Sequence, residues 1–280
     1  MTLRNYSNPV GIVQGRLSPP VDGMIQAFPK ETWRDEFRIA SEIGFDAIEL
    51  IFDGPENPLF HKEGADEIRS LANTSNIFIS SANMDYSMFY PLFGETRKQS
   101  LLTTIEVIQQ CASIGIPRVG ISFEDNSSIL TEAHRDQAIE SMKVCLRIAE
   151  SLDMIITIET SLIGTNLIEF IDQIGSANLK VNFDTGNSCA YGEDPASVIR
   201  SLRRHIGGIH IKDRTRLFGM TVPLEQGDTD LSGCFEAIKD IEYTGVVIIQ
   251  GARGENDVET AIKYQNLVRR YLEGDNDKLS

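Results

Sequence analysis

Glu159, Asp184, His210 and Gln250 stand at or near the carboxyl ends of four successive short apolar runs, MIITIE, LKVNFD, GGIHIK and GVVIIQ. Carboxylate, imidazole and amide oxygen are all donors that a divalent cation such as manganese, zinc, cobalt or magnesium accepts. A carboxylate can in addition take a proton from carbon, which an amide cannot. The four residues therefore offer a metal site with Glu159 as its base, and Gln250 as a neutral oxygen. Each has a plainer reading: Glu159 as a loop or helix-cap carboxylate, Asp184 as the cap of the next helix, His210 as a satisfied histidine at the rim. A carboxylate buried at a strand end is costly unless paired or coordinated, which favours the metal reading for Asp184.

Other polar residues lie close to these in sequence. His210 and Lys212 alternate with Ile209 and Ile211, so the two polar side chains face one way and the isoleucines the other. Lys212 is thereby a candidate for both catalysis and substrate binding, and Asp213 for orienting a ligand or a base. Asn187 follows Asp184, Arg253 follows Gln250, and the first run leads into QGRLSPP with Gln14 and Arg16. Glu49 alternates with Ala47 and Ile51 in the second run, as a cavity-facing carboxylate or the partner of Arg16 or Lys212. The long segment KDRTRLFGMTVPLEQGDTDL brings Arg214, Arg216 and Gly227, groups suited to a phosphate or to sugar hydroxyls and to a lid that excludes water.

Such residues act together only if one fold gathers the strand ends. Strand-like runs begin near residues 10, 46, 76, 117, 154, 179, 207 and 245, and helix-length amphipathic segments such as WRDEFRIASEIG and RKQSLLTTIEVIQQCASIG lie between them. Eight strand–helix alternations in 280 residues predict a (β/α)8 TIM barrel, with strand ends converging on one mouth. An open doubly wound sheet is the alternative, but it needs no eighth strand. Gly44, Gly115 and Gly245 fall just before strands, where a left-handed helix cap is expected. One domain over 1–280 is expected, with a core of about 10–272 and a frayed tail at 273–280.

Composition narrows the function class. The net charge of −15 is spread along the chain and disfavours a nucleic-acid partner. Neither GxGxxG after the first strand nor GxxxxGK[ST] anywhere is present, which disfavours a dinucleotide or nucleoside-triphosphate site. Cys111, Cys145, Cys189 and Cys234 lack zinc-knuckle or redox spacing and read as free core thiols in a reducing compartment. With no apolar run of membrane length, a soluble cytoplasmic protein is expected.

The stretches IETSL, NFDTGN, GIHIKDR and TVPLEQGDTDLSGCFEAI resemble the xylose-isomerase-like barrel superfamily over roughly residues 10 to 272. The last two, with YTGVVIIQ, are similar to the pattern of L-ribulose-5-phosphate and L-xylulose-5-phosphate 3-epimerases. The resemblance implies a divalent metal, manganese first, on Glu159, Asp184, His210 and the position of Gln250, where those epimerases carry a second glutamate. It implies an enediolate mechanism on a ketose or sugar phosphate, and allows a homodimer. With Gln250 in place, Glu159 is the one strand-end base of the set, which suits single-base isomerisation or dehydration at least as well as two-base epimerisation. The resemblance also leaves open a catalytically inactive carbohydrate-binding barrel. It opposes an endonuclease, whose trinuclear zinc site needs more ligands.

Overall fold

Each apolar run forms a strand in the computed structural model, which describes residues 8–274. These are β1 (Val10–Val13), β2 (Ala47–Ile51), β3 (Phe78–Met84), β4 (Arg118–Phe123), β5 (Ile155–Thr160), β6 (Leu179–Asp184) and β7 (Ile206–Ile211). A short antiparallel pair, β8 (Asp213–Arg214) and β9 (Thr221–Val222), precedes β10 (Val247–Ile249). The strand order is a closed barrel, β1-β10-β7-β6-β5-β4-β3-β2, and helices fill the intervals. The expected (β/α)8 TIM barrel is therefore present and the open sheet is excluded. Parallel strands covered on both faces read as near-continuous apolar runs, and β1 and β10 are buried at every position.

Backbone contacts group the chain into two compact units, residues up to 48 with those from 183 onward, and residues 49–182. Both boundaries fall inside a strand, in β2 and in β6. In the first unit β1, β10 and β7 pair in parallel, with Val10 opposite Val247 and Ile248 opposite His210. Gly11 fits closely there, because a Cβ would lie 2.6 Å from the Cδ1 of Ile248 and 3.0 Å from the Ala47 carbonyl oxygen. Helices Trp33–Glu42, Leu231–Asp240 and Asp257–Glu273 bury Phe37, Phe235 and Val268, and Phe235 stacks on Tyr271 at 4.9 Å. Asp230 and Asn256 cap the last two helices through their side chains.

In the second unit β3, β4 and β5 run in parallel, with Ala82 opposite Val119 and Ile121 opposite Ile158. Helices Arg97–Ser113 and Glu132–Ser151 bury Cys111, Val107, Cys145 and Met142, and Phe123 meets Phe170 edge-on at 5.8 Å. All four cysteines are free and buried, as expected. β3 runs further than NIFISS suggested, through Ala82, Asn83 and Met84. Its serines are polar yet buried, because Ser81 donates to Glu49 Oε2 at 2.6 Å and accepts from Arg118 at 3.3 Å.

Gly44 and Gly115 take left-handed φ values of 88° and 81°, as expected of helix caps. Gly245 does not: in that turn the left-handed residue is Glu242, with φ 55°. A Cβ at Gly245 would instead collide with the ring and hydroxyl of Tyr243, so packing explains this glycine. The helix expected to fray at 273 runs to Glu273 and is capped by Gly274, and residues 275–280 lie outside the described range. No helix among the described residues is long and apolar enough to cross a membrane.

Candidate metal centre

Asp184 is the last residue of β6 and the N-cap of helix Thr185–Ala190, so its reading as a helix cap holds. Its Oδ1 accepts the Asn187 N–H at 2.8 Å. Its Oδ2 lies 2.9 Å from Lys212 Nζ but accepts no hydrogen bond of good geometry, although the side chain is only 1% exposed. His210 lies on β7 and is fully buried. Glu159 lies on β5, half-buried, and Asn182 Nδ2 approaches its Oε2 at 3.5 Å. Glu159, Asp184 and His210 each present one ligand atom, and these atoms all lie within 4.8 Å of one another. That spacing suits one divalent cation, and two carboxylates with an imidazole form a donor set for it.

Gln250 follows β10 and donates its backbone N–H to the Ile211 carbonyl at 3.0 Å. Since Ile248 pairs with His210, the two-residue pleat puts Gln250 on the same face as His210, one step further along. The side chain is 5% exposed; its Nε2 donates to Gln26 Oε1 at 2.8 Å and its Oε1 accepts nothing. Asp184 Oδ2 and Gln250 Oε1 are thus two buried oxygens with acceptor capacity in hand. Buried acceptors are rarely left so, and a cation or a substrate hydroxyl would satisfy them.

The segments that carry these residues fit together closely. Thr185 Oγ1 donates to the Lys212 carbonyl at 2.7 Å and accepts the Lys212 N–H at 3.0 Å, tying the end of β7 to the start of the helix. A Cβ on Gly186 would meet the Cγ atoms of Lys212 and Arg214 at 2.9 and 3.1 Å, so the glycine of DTGN lets both stems pass. Asn187 Oδ1 accepts from Arg214 Nη1 at 2.7 Å, and Arg214 Nε donates to the Gly219 carbonyl at 2.9 Å. Lys212, Asn187 and Arg214 are therefore in one connected group with Asp184. Asp213, expected to orient a ligand or base, accepts the N–H groups of Gly227 and Thr229 at 2.9 and 3.1 Å and so shapes its own loop.

The other candidates have structural partners. Arg16 donates to the carbonyls of Gly251 at 3.1 Å and of Ile25, and to Gln26 Oε1 at 3.4 Å. Arg253 donates to the carbonyls of Gly15, Ser18 and Ile25 and pairs with Asp257 at 2.7 Å. Gln14 is buried beside them in sequence, and Arg216 is exposed, with its N–H on Asp228 Oδ2. Glu49 is buried against Ser81, which also meets Ser80 Oγ at 3.1 Å and Arg118, the first residue of β4, at 3.3 Å.

Sequence reasoning missed Gln26 and Glu36. Glu36 is buried and accepts the N–H groups of Gly15 and Leu17 at 2.9 and 3.0 Å, fixing the loop after β1. Burial pushes its carboxyl up to about 7, against the lowering effect of those N–H groups, the Ser18 hydroxyl and the charge of Arg253. Gln26 gave no signal in PVDGMIQAFP, a loop without periodicity.

The family described as xylose isomerase-like TIM barrel matches residues 37–268. The chain belongs to that family. Among characterised relatives, it is 24% identical over 234 residues to L-ribulose-5-phosphate 3-epimerase UlaE of Escherichia coli strain SE11, covering 79% of this chain and 82% of that one. Among solved structures it is similar to a xylose isomerase domain protein from Planctomyces limnophilus, with TM-score 0.76 and 18% identity over 96% of this chain and 99% of that one. It is also similar to the apo form of 3-keto-D-glucoside 4-epimerase YcjR from E. coli, with TM-score 0.74 and 17% identity over 94% and 99% of the two chains. Fold, family and the Glu159–Asp184–His210 cluster together support the expected enzyme of isomerase or epimerase type.

Proposed function

We propose that this chain is a divalent-metal-dependent isomerase or epimerase of a ketose or ketose phosphate, with Glu159 as the base. The observation that carries the reading is the convergence of Glu159, Asp184 and His210 within 4.8 Å. Glu159, Asp184, His210 and the Oε1 of Gln250 would hold the ion, and manganese suits this mix of carboxylate, imidazole and neutral oxygen. A bound divalent ion would polarise the substrate carbonyl and its neighbouring hydroxyl. The likeness to an L-ribulose-5-phosphate 3-epimerase makes a phosphorylated ketopentose the first substrate class to try.

The chain's own groups divide the work by chemistry. Glu159 takes the proton from the carbon beside the carbonyl and can return it to the neighbouring position. Asn182, 3.5 Å from Glu159 Oε2, orients that carboxylate. Lys212, with Nζ 2.9 Å from Asp184 Oδ2, is a proton carrier for oxygen and a partner for substrate charge. Asn187 and Arg214 bind substrate hydroxyls or phosphate from their shared hydrogen bond, and Gln14, Arg16, Glu49, Arg216 and Arg253 act around them by shaping and charging the cavity. Because Gln250 cannot accept a proton from carbon, transfer with one base, as in isomerisation or dehydration, is the second reading that a specific residue favours. Proton exchange from solvent into carbon, followed by nuclear magnetic resonance over a panel of ketoses and ketose phosphates in the manganese-loaded protein, tests the proposal. Exchange that disappears in Glu159→Gln is the expected result. No exchange with any member of the panel would overturn it.

A further inference from the structure

Gln250 presents an unusual pair of facts: the nitrogen of its amide is hydrogen-bonded, and the buried oxygen has no hydrogen-bond partner. An amide left to itself would turn to satisfy both ends, so something must fix its sense. The fixing element lies in the loop after β1. Arg16 is held at two points, by the carbonyls of Gly251 and Ile25, and its Nη2 reaches Gln26 Oε1 at 3.4 Å. A guanidinium only donates, so the Gln26 atom that faces it must be the oxygen. The same oxygen faces Gln250 at 2.8 Å, so the Gln250 atom that meets it must be the nitrogen. The Oε1 of Gln250 is thereby turned away from Gln26 and left as an acceptor.

We propose that Arg16 and Gln26 form a relay that sets the sense of the Gln250 amide, and that Gln26 is a positioning residue that makes Gln250 an oxygen donor to the metal. The inference rests on the metal reading above and adds a residue that is not a ligand. The relay compensates for what an amide lacks beside a carboxylate. Either oxygen of a carboxylate can coordinate, whereas an amide serves only in one of two flips, so a glutamine ligand needs an outside acceptor to choose for it. Arg16 thereby gains a role beyond holding its loop: the direction of its hydrogen bonds is passed through two amides to the site.

The test is the affinity for manganese alone, by titration calorimetry, in Gln26→Ala, Gln26→Glu, Gln250→Ala and the double variant Gln26→Ala/Gln250→Ala. Loss of an outer partner of a ligand weakens metal binding by about 10- to 100-fold, and Gln26→Ala should fall in that range. Gln26→Glu keeps an acceptor toward Gln250 and should recover near wild-type affinity. In the Gln250→Ala background, removal of Gln26 should have no further effect. Unchanged affinity in Gln26→Ala, or the same loss with and without Gln250, would overturn the relay. If the wild-type chain takes up no manganese, the metal reading fails by itself and hydrogen exchange at Gln250 Nε2 judges the relay. Protection in the wild type and Gln26→Glu that is lost in Gln26→Ala supports it, and equal exchange in all three overturns it.

Discussion

Two regions carry the polar residues that stood out in the sequence, and they use them in opposite ways. In the loop after β1 and the segment after β10, the arginines are spent on backbone carbonyls: Arg253 alone reaches those of Gly15, Ser18 and Ile25 as well as Asp257. At the ends of β6 and β10, Asp184 Oδ2 has the Lys212 ammonium at 2.9 Å but accepts no hydrogen bond of good geometry, and Gln250 Oε1 accepts none, although both are buried. A side chain whose hydrogen-bonding capacity is consumed by the fold is a brace, and one held in place with capacity unspent is a site. Residue type and spacing do not separate the two; the inventory of partners does.

The sharpest way to break that comparison is Glu159→Gln. It should keep most of the bound metal, while proton transfer falls by about 10²- to 10⁴-fold in kcat, the usual contribution of a positioned base. Retained turnover would move the base elsewhere in the chain. Next in size, Arg253→Ala strips a partner from the part-buried carbonyls of Gly15 and Ser18, while Ile25 keeps its bond from Arg16, and should cost on the order of 1–3 kcal/mol. It should appear in thermal unfolding as a lowered Tm. A variant that lost activity with an unchanged Tm would instead make Arg253 a substrate contact and bring the two regions together.

A smaller effect probes the brace through Glu36. Burial raises its carboxyl to about 7 in the folded chain, above the unfolded value of 4.5. The folded state therefore holds its proton more tightly, so the Glu36 contribution is greatest below about 4.5 and is lost as pH rises through about 7. Unfolding by denaturant between pH 4 and 8 should show this fall, and Glu36→Gln should remove it, leaving the slopes of other groups. Informative for chemistry more than for stability is Gln250→Glu, which gives up the hydrogen bond to Gln26 Oε1 and supplies a second carboxylate at the end of β10. Epimerisation gained on a ketose phosphate that the parent only isomerises would show that residue 250 chooses between one-base and two-base transfer.

The eight barrel strands were legible because a buried parallel strand leaves an apolar run in sequence, as in VGIV and LKVNFD. Asp184 and His210 were legible because each interrupts such a run where the sequence gives it no apolar reason to be. The end of β3, Ala82–Met84, was not, since the polar Ser80, Ser81 and Asn83 break the apolar run, and their partners, such as Glu49 for Ser81, come from distant positions. The β8–β9 hairpin was read only as a long loop, for its turn places Leu217 and Phe218 at φ 58° and 59°, conformations those residues do not advertise. Gln26 and Glu36 were hidden for a related reason: their importance lies in which backbone and amide groups they meet, and no local pattern encodes that.

Metal content by inductively coupled plasma mass spectrometry, after loading with manganese and removal of free ion, addresses the centre most directly. Close to one ion per chain in the wild type, lost in His210→Ala while the fold is kept, is the expected result. A wild-type chain that retains no manganese, zinc, cobalt or magnesium would contradict the assignment of Glu159, Asp184 and His210 as ligands, and would leave their convergence as a feature of the fold alone.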